Sequence, residues 1–116
     1  MKFIVNYWHK SSGKAPVEEY IDDIDSFEER ADLLSTLKGI QENGTDAAGV
    51  DFRQIDGKLW ELKIRTRGNQ HRIFYAVIHG KEMYLLHAYL KKTQKAPVKE
   101  IETAKQRMKL LMEDRK

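Results

Sequence analysis

Cysteine is absent from the 116 residues, and only two prolines interrupt them, Pro16 and Pro97. Without cysteine there is no disulfide framework and no cysteine-based zinc site, a composition compatible with the cytosol. Long apolar runs are missing too. The longest, Ile73 to Ile78, falls far short of the roughly 20 residues that cross a bilayer. The apolar run near the amino terminus ends at Asn6, too short for a signal-peptide core. These absences predict a cytoplasmic protein with no membrane partner. No phosphate-binding glycine loop and no HExxH occur, and a serine-nucleophile triad has no support. The histidines His9, His71, His79 and His87 lack metal-like spacing with carboxylates, so no metal and no cofactor are expected.

What is present is charge, unevenly distributed. Residues 1–57 carry 6 Lys/Arg against 12 Asp/Glu, whereas residues 58–116 carry 15 against 6. The overall +3 hides a basic second half. Such asymmetry points to a polyanion-binding surface there, against the plain alternative of a dipolar surface. The length fits one domain spanning 1–116, large enough to fold on its own core.

Periodicity then orders the elements. Phe3 to Trp8 is β-branched and aromatic and reads as a strand. Pro16 opens a short helix reaching about Ile24, with Glu18 and Glu19 in its first turn. Ser26 and Glu29 have the spacing of a capping box. The helix they open carries Leu33, Leu34, Leu37 and Ile40 as an apolar face and stops at Asn43-Gly44. Residues 44–51 read as a loop. From Leu59 to Thr66 the side chains alternate, Trp60, Leu62 and Ile64 against Glu61, Lys63 and Arg65, as a half-buried strand requires. Turns at Gly68-Asn69 and His79-Gly80-Lys81 separate two further strands, His71–Ile78 and Met83–Leu90. Turns that short impose an antiparallel meander. After Pro97, the apolar positions Val98, Ile101, Ala104, Met108, Leu111 and Met112 mark an amphipathic helix. The expected architecture is α+β, β-α-α-β-β-β-α, an antiparallel meander packed against helices on one face.

Under that architecture the other sheet face is open and gathers cations. Lys63 and Arg65 share one side of their strand, Arg72 stands across the turn, and Lys91, Lys92 and Lys95 follow the last strand. Converging cations repel one another, which favours a bound anion, and phosphate is the natural one. The plain alternative is a solvated strand face. On an open face, truncating Arg72 is expected to change stability little. Histidine suits acid–base work, but strict alternation puts His87 with Leu85 and Met83, an apolar set that favours a packed, hydrogen-bonded role. The same alternation places Tyr75 in the core with Ile73 and Val77. Trp60 and Tyr89 fit core packing better than stacking on a base, and the Met108, Leu111, Met112 stripe fits helix packing better than a partner groove.

The segments LWELKIR (59–65), HRIFY (71–75) and LLHAYLKKTQKAPVKEIETAKQRM (85–108) resemble the RelE/ParE toxin superfamily, closest to its HigB-like branch, the phage Gp49-like proteins. The KKTQKAP run is the most specific part of the resemblance, which extends over nearly the whole chain. It implies a RelE-like fold and the toxin of a type II toxin–antitoxin pair, partnered by a helix-turn-helix, HigA-like antitoxin. The implied activity is ribosome-dependent, metal-independent endoribonuclease cleavage of mRNA, blocking translation. Arg72 matches the arginine that contacts the scissile phosphate in such proteins, Lys63 and Arg65 match the basic positions beside it, and Lys92, with Lys91 next to it, matches the basic position after the last strand. The catalytic set is therefore Arg72, Lys63 and Lys92, with Arg65, Lys91, Lys95 and His87 binding RNA phosphates. Two departures stand out. Glu61 occupies a position that is basic in some relatives, and residues 96–116 lack the tyrosine that many relatives use.

In that chemistry the ribose 2′-oxygen attacks its own phosphate. Arg72 would face the phosphate oxygens with a planar, permanently charged fork. Lys63 is a candidate base, because cationic neighbours favour a neutral lysine, and Lys92 a candidate acid. The family also contains ParE-like DNA gyrase poisons, and a non-catalytic phage-derived nucleic-acid-binding or regulatory protein is a further alternative.

Overall fold

The computed structural model describes residues 2–95 and 97–114. Met1, Arg115 and Lys116, at the ends of the expected domain, and Ala96 within the KKTQKAP run lie outside the described residues. The elements follow in the order β1 (Ile4–Tyr7), α1 (Pro16–Asp22), α2 (Phe27–Asn43), a 3₁₀ turn (Gly44–Asp46), β2 (Val50–Asp56), β3 (Leu59–Thr66), β4 (Asn69–Ile78), β5 (Glu82–Leu90) and α3 (Val98–Asp114). The fold is α+β, with one five-stranded mixed sheet ordered β1-β5-β4-β3-β2.

Local chemistry explains most boundaries. Pro16 sits in the first turn of α1, where a missing N–H costs nothing. Ser26 caps α2 by accepting the Glu29 N–H at 3.1 Å. Gly44 ends it with φ of +62°, a backbone conformation that glycine adopts without strain. Leu33, Leu37 and Ile40 are buried as expected, but Leu34 is exposed. Only half of the expected capping box forms, because the Glu29 carboxylate turns away to the sheet.

Three expectations of the fold are corrected. First, residues 50–56 form a strand. Val50 and Phe52 pack on the core while Asp51 and Arg53 are exposed, and a bulge at Ile55 breaks the pairing with β3. A short, charged, bulged strand at a sheet edge is protected against stray pairing, and these features weaken its apolar signal. Second, the β3–β4 turn is Arg67-Gly68, one residue earlier than expected, with φ of +43° and +88°. Positive φ at both central residues suits the right-handed twist of a hairpin. Third, helices cover both sheet faces. One cluster joins Val17, Ile21, Leu33, Leu37 and Ile40 of α1 and α2 to Leu62, Ile64, Ile73 and Leu85. A second joins Ala104 and Leu111 of α3 to Trp8, Leu59, Phe74, Ala76 and Leu86 on the opposite face. The apolar stripe of α3 could not remain exposed, and the face with α1 and α2 was already filled. The face expected to be open is therefore half covered, and Met108 and Met112 serve that packing.

Candidate functional site

Register decides which side chains meet. The Arg67-Gly68 turn sets Lys63 directly across from Arg72, and Arg65 across from Gln70. On the other side of β4, Arg72 faces Tyr89 of β5, and Phe74 faces His87. Leu62, Ile64, Ile73 and Ala88 all belong to the α1/α2 cluster, so by alternation Lys63, Arg65, Arg72 and Tyr89 stand on the α3 face. The structure thus brings Lys63, Arg65 and Arg72 together. Lys91, Lys92 and Lys95 instead line a cleft of about 380 Å³ beside the start of α3, with Tyr89, Lys99 and Glu100 in its walls. Tyr89 joins the two groups, being both the cross-strand neighbour of Arg72 and a wall of the cleft. Lys92 and Lys95 are exposed, and the Lys91 ammonium donates to the Lys95 carbonyl at 2.8 Å.

Arg72 is not held open to solvent. It is only 8% exposed, and its partner Glu61 1%. Nη1 donates to Glu61 Oε1 at 3.1 Å and Nη2 to Gln70 Oε1 at 3.0 Å. Two buried polar atoms have no hydrogen-bond partner among the described residues, the Arg72 Nε and the Tyr89 hydroxyl. Burial, then the Glu61 and Glu100 charges, push the Tyr89 hydroxyl up to about 12 against the pull of Arg72 and Arg53, so it keeps its proton and can donate. The expectation that Arg72 could be truncated at little cost is therefore corrected, because its loss strands a buried carboxylate.

His87 faces α3, not the Leu85 and Met83 side. A bulge in β5 leaves Leu86 without a cross-strand partner, since Phe74 pairs His87 while Tyr75 pairs Leu85. Strict alternation fails at such an extra residue. The ring lies parallel to Phe74 at 6.2 Å. Arg107 Nη1 donates to Nδ1 at 3.1 Å, so Nε2 carries the hydrogen and donates to Glu100 Oε1 at 2.7 Å. Burial first, aided by Arg107 and opposed by Glu100, draws the imidazole below its ordinary range. With both nitrogens engaged, His87 braces α3 to β5.

Sequence reasoning missed a second polar cluster on the α1/α2 face. Glu29 Oε2 accepts from Thr66 at 3.0 Å, Asn69 at 2.8 Å and His71 Nε2 at 2.6 Å. Tyr20, pushed up to about 12 by burial and by Glu29, places its hydroxyl 2.6 Å from His71 Nδ1. Asn69 above all, then His71 and Thr66, hold the Glu29 carboxyl below its ordinary value against the effect of burial. These residues are far apart in sequence, so no local motif announces them. No group of His, Asp and Glu among the described residues is suited to hold a metal ion, and no described helix is long and apolar enough to cross a membrane.

A mixed sheet between two helical layers, with a basic strand face beside a lysine-lined cleft, defines the class as a small α+β protein. The profile of the family described as "Phage derived protein Gp49-like (DUF891)" matches residues 19–109, and the chain belongs to that family. The family lies within the RelE/HigB-like toxin group. No curated protein matches the chain.

Proposed function

We propose that this chain is the toxin of a type II toxin–antitoxin pair and cuts mRNA on the ribosome. The observation that carries the reading is the rung Lys63–Arg72, two cations fixed opposite one another on adjacent strands, with Arg65 two residues further along the same face of β3 and the lysine cleft alongside. A phosphodiester crossing this face meets the point charges of Lys63 and Arg65, with the Arg72 guanidinium held beneath them by Glu61 and Gln70. Lys91, Lys92 and Lys95 hold the phosphates of the flanking nucleotides.

In the reaction the ribose O2′ attacks phosphorus, losing its proton to a base, with Lys63 as that base. The P–O5′ bond breaks, and the leaving oxygen takes a proton, a role open to Lys92. The products are a 2′,3′-cyclic phosphate and a 5′-hydroxyl. Arg72 stabilises the charge that builds on the non-bridging oxygens, typically the largest single contribution in such sites. His87, engaged by Glu100 and Arg107, enters as a brace that positions the cleft wall. The ribosome supplies substrate orientation that the toxin lacks. The partner that silences it is a helix-turn-helix antitoxin, drawn by charge to the basic half of the chain. Adding the protein to a translation extract and mapping mRNA ends tests this. Cuts within translated sequence bearing 5′-hydroxyl ends support it. Intact mRNA with trapped gyrase–DNA cleavage complexes would instead assign the ParE-like activity, and neither outcome a non-catalytic binder.

A further inference from the structure

Arg72 and Tyr89 are cross-strand partners on the central strands, and each buries a polar atom with no partner among the described residues. Two such atoms on one rung are uncommon, because folded proteins pair nearly all buried polar groups. Nor do the two bond to one another, although a phenolic oxygen could accept the Nε–H. Glu61 and Gln70 occupy the Nη1 and Nη2 groups. Glu61, fully enclosed, fixes the guanidinium from the β3 side, while Tyr89 borders the opposite, cleft side. The tyrosine is only partly buried and lines the cleft.

We propose that Tyr89 is a substrate-binding residue whose hydroxyl, together with the Arg72 Nε–H, grips one non-bridging oxygen of a phosphodiester. The inference rests on the RNA reading above and adds a specific contact to it. Two donors converging on one oxygen suit a phosphate, which carries negative charge and several acceptor sites. Lys91, Lys92, Lys95 and Lys99 in the adjoining cleft favour the same ligand. Glu61 acts as a positioning residue, holding the guanidinium by Nη1 so that the Nε side is the one presented to the ligand. Gln70 is neutral, so a phosphate oxygen can take its place on Nη2 without leaving a buried charge unpaired.

The test is equilibrium binding of a fluorescent 2′-O-methyl RNA tetranucleotide, which cannot be cut, at low salt. Tyr89→Phe keeps the ring stacked on Phe74 and removes only the unpaired hydroxyl, so the melting temperature should stay level or rise. Binding should weaken about tenfold, the scale of one hydrogen bond to a charged group. Against an Arg72→Lys background, which keeps the charge and lacks the Nε–H, the same change should cost little. Unchanged binding of Tyr89→Phe, an equal loss in both backgrounds, or no binding by the parent would overturn the site. The translation-extract assay is independent. A parent that cuts no mRNA but loses binding through Tyr89→Phe keeps this site and loses the endonuclease reading. One that cuts mRNA while Tyr89→Phe binds normally does the reverse.

Discussion

The Arg72 guanidinium and the Glu61 carboxylate meet at 3.1 Å on adjacent strands, both shielded from water. Removing one partner leaves the other charged and buried, whereas replacing both with apolar groups leaves no such defect. Arg72→Ala should therefore destabilise the protein by about 3–5 kcal/mol, and a Glu61→Leu/Arg72→Met double variant by much less. Urea unfolding of the three proteins decides it. Equal midpoints for Arg72→Ala and the parent would mean that the pair contributes nothing to stability.

His87 gives the stability a dependence on pH near neutrality. Its folded-state value lies below its ordinary 6.5, so the unfolded chain takes up a proton first as pH falls. The contribution is fully present above about 6.5 and is lost as pH drops through the lower, folded value. His87→Gln should flatten the melting temperature between about pH 7.5 and about pH 5.5, the range around the ordinary histidine value. A parent whose melting temperature does not fall across that window would contradict the engaged, neutral imidazole.

Glu29 acts in a separate window. Its folded value is depressed below the ordinary 4.5, so the stabilisation is present above that value and lost as pH falls through the lower one. Glu29→Gln should be less stable than the parent at neutral pH, with the difference shrinking in acid. Hydrogen exchange at Thr66 and Asn69 reports the same change locally, since both side chains bond the carboxylate. A difference that stays constant down to strongly acid pH would rule out the ionised carboxylate as its source.

Much of this fold was legible because its signals are local. Ser26 and Gly44 bound α2 as read, and the alternation of Trp60, Leu62 and Ile64 marked β3. Strand β2 was not, because Asp51, Arg53 and Gln54 interrupt its apolar pattern at the sheet edge. Placing α3 on the second face needed knowledge that α1 and α2 already filled the first. At the site, alternation correctly put Lys63 and Arg65 on one side of β3. The orientation of His87 was hidden by the bulge at Leu86, which no residue type announces. Burial of Arg72 against Glu61 was hidden because a carboxylate on a basic face looks, in sequence, like an ordinary solvated charge.

The measurement that bears most directly on the proposed site is single-turnover cleavage of ribosome-bound mRNA by the parent, Arg72→Lys and Lys63→Ala, with circular dichroism on the same samples. Arg72→Lys keeps a cation near Glu61 but loses the fork, and should slow cleavage by roughly 10²–10³ while remaining folded. Lys63→Ala should also slow it, with normal ellipticity, because its side chain lies on the sheet face outside the apolar clusters. Folded variants that cut as fast as the parent would contradict the assignment of the Lys63–Arg72 rung as the place where RNA is cleaved.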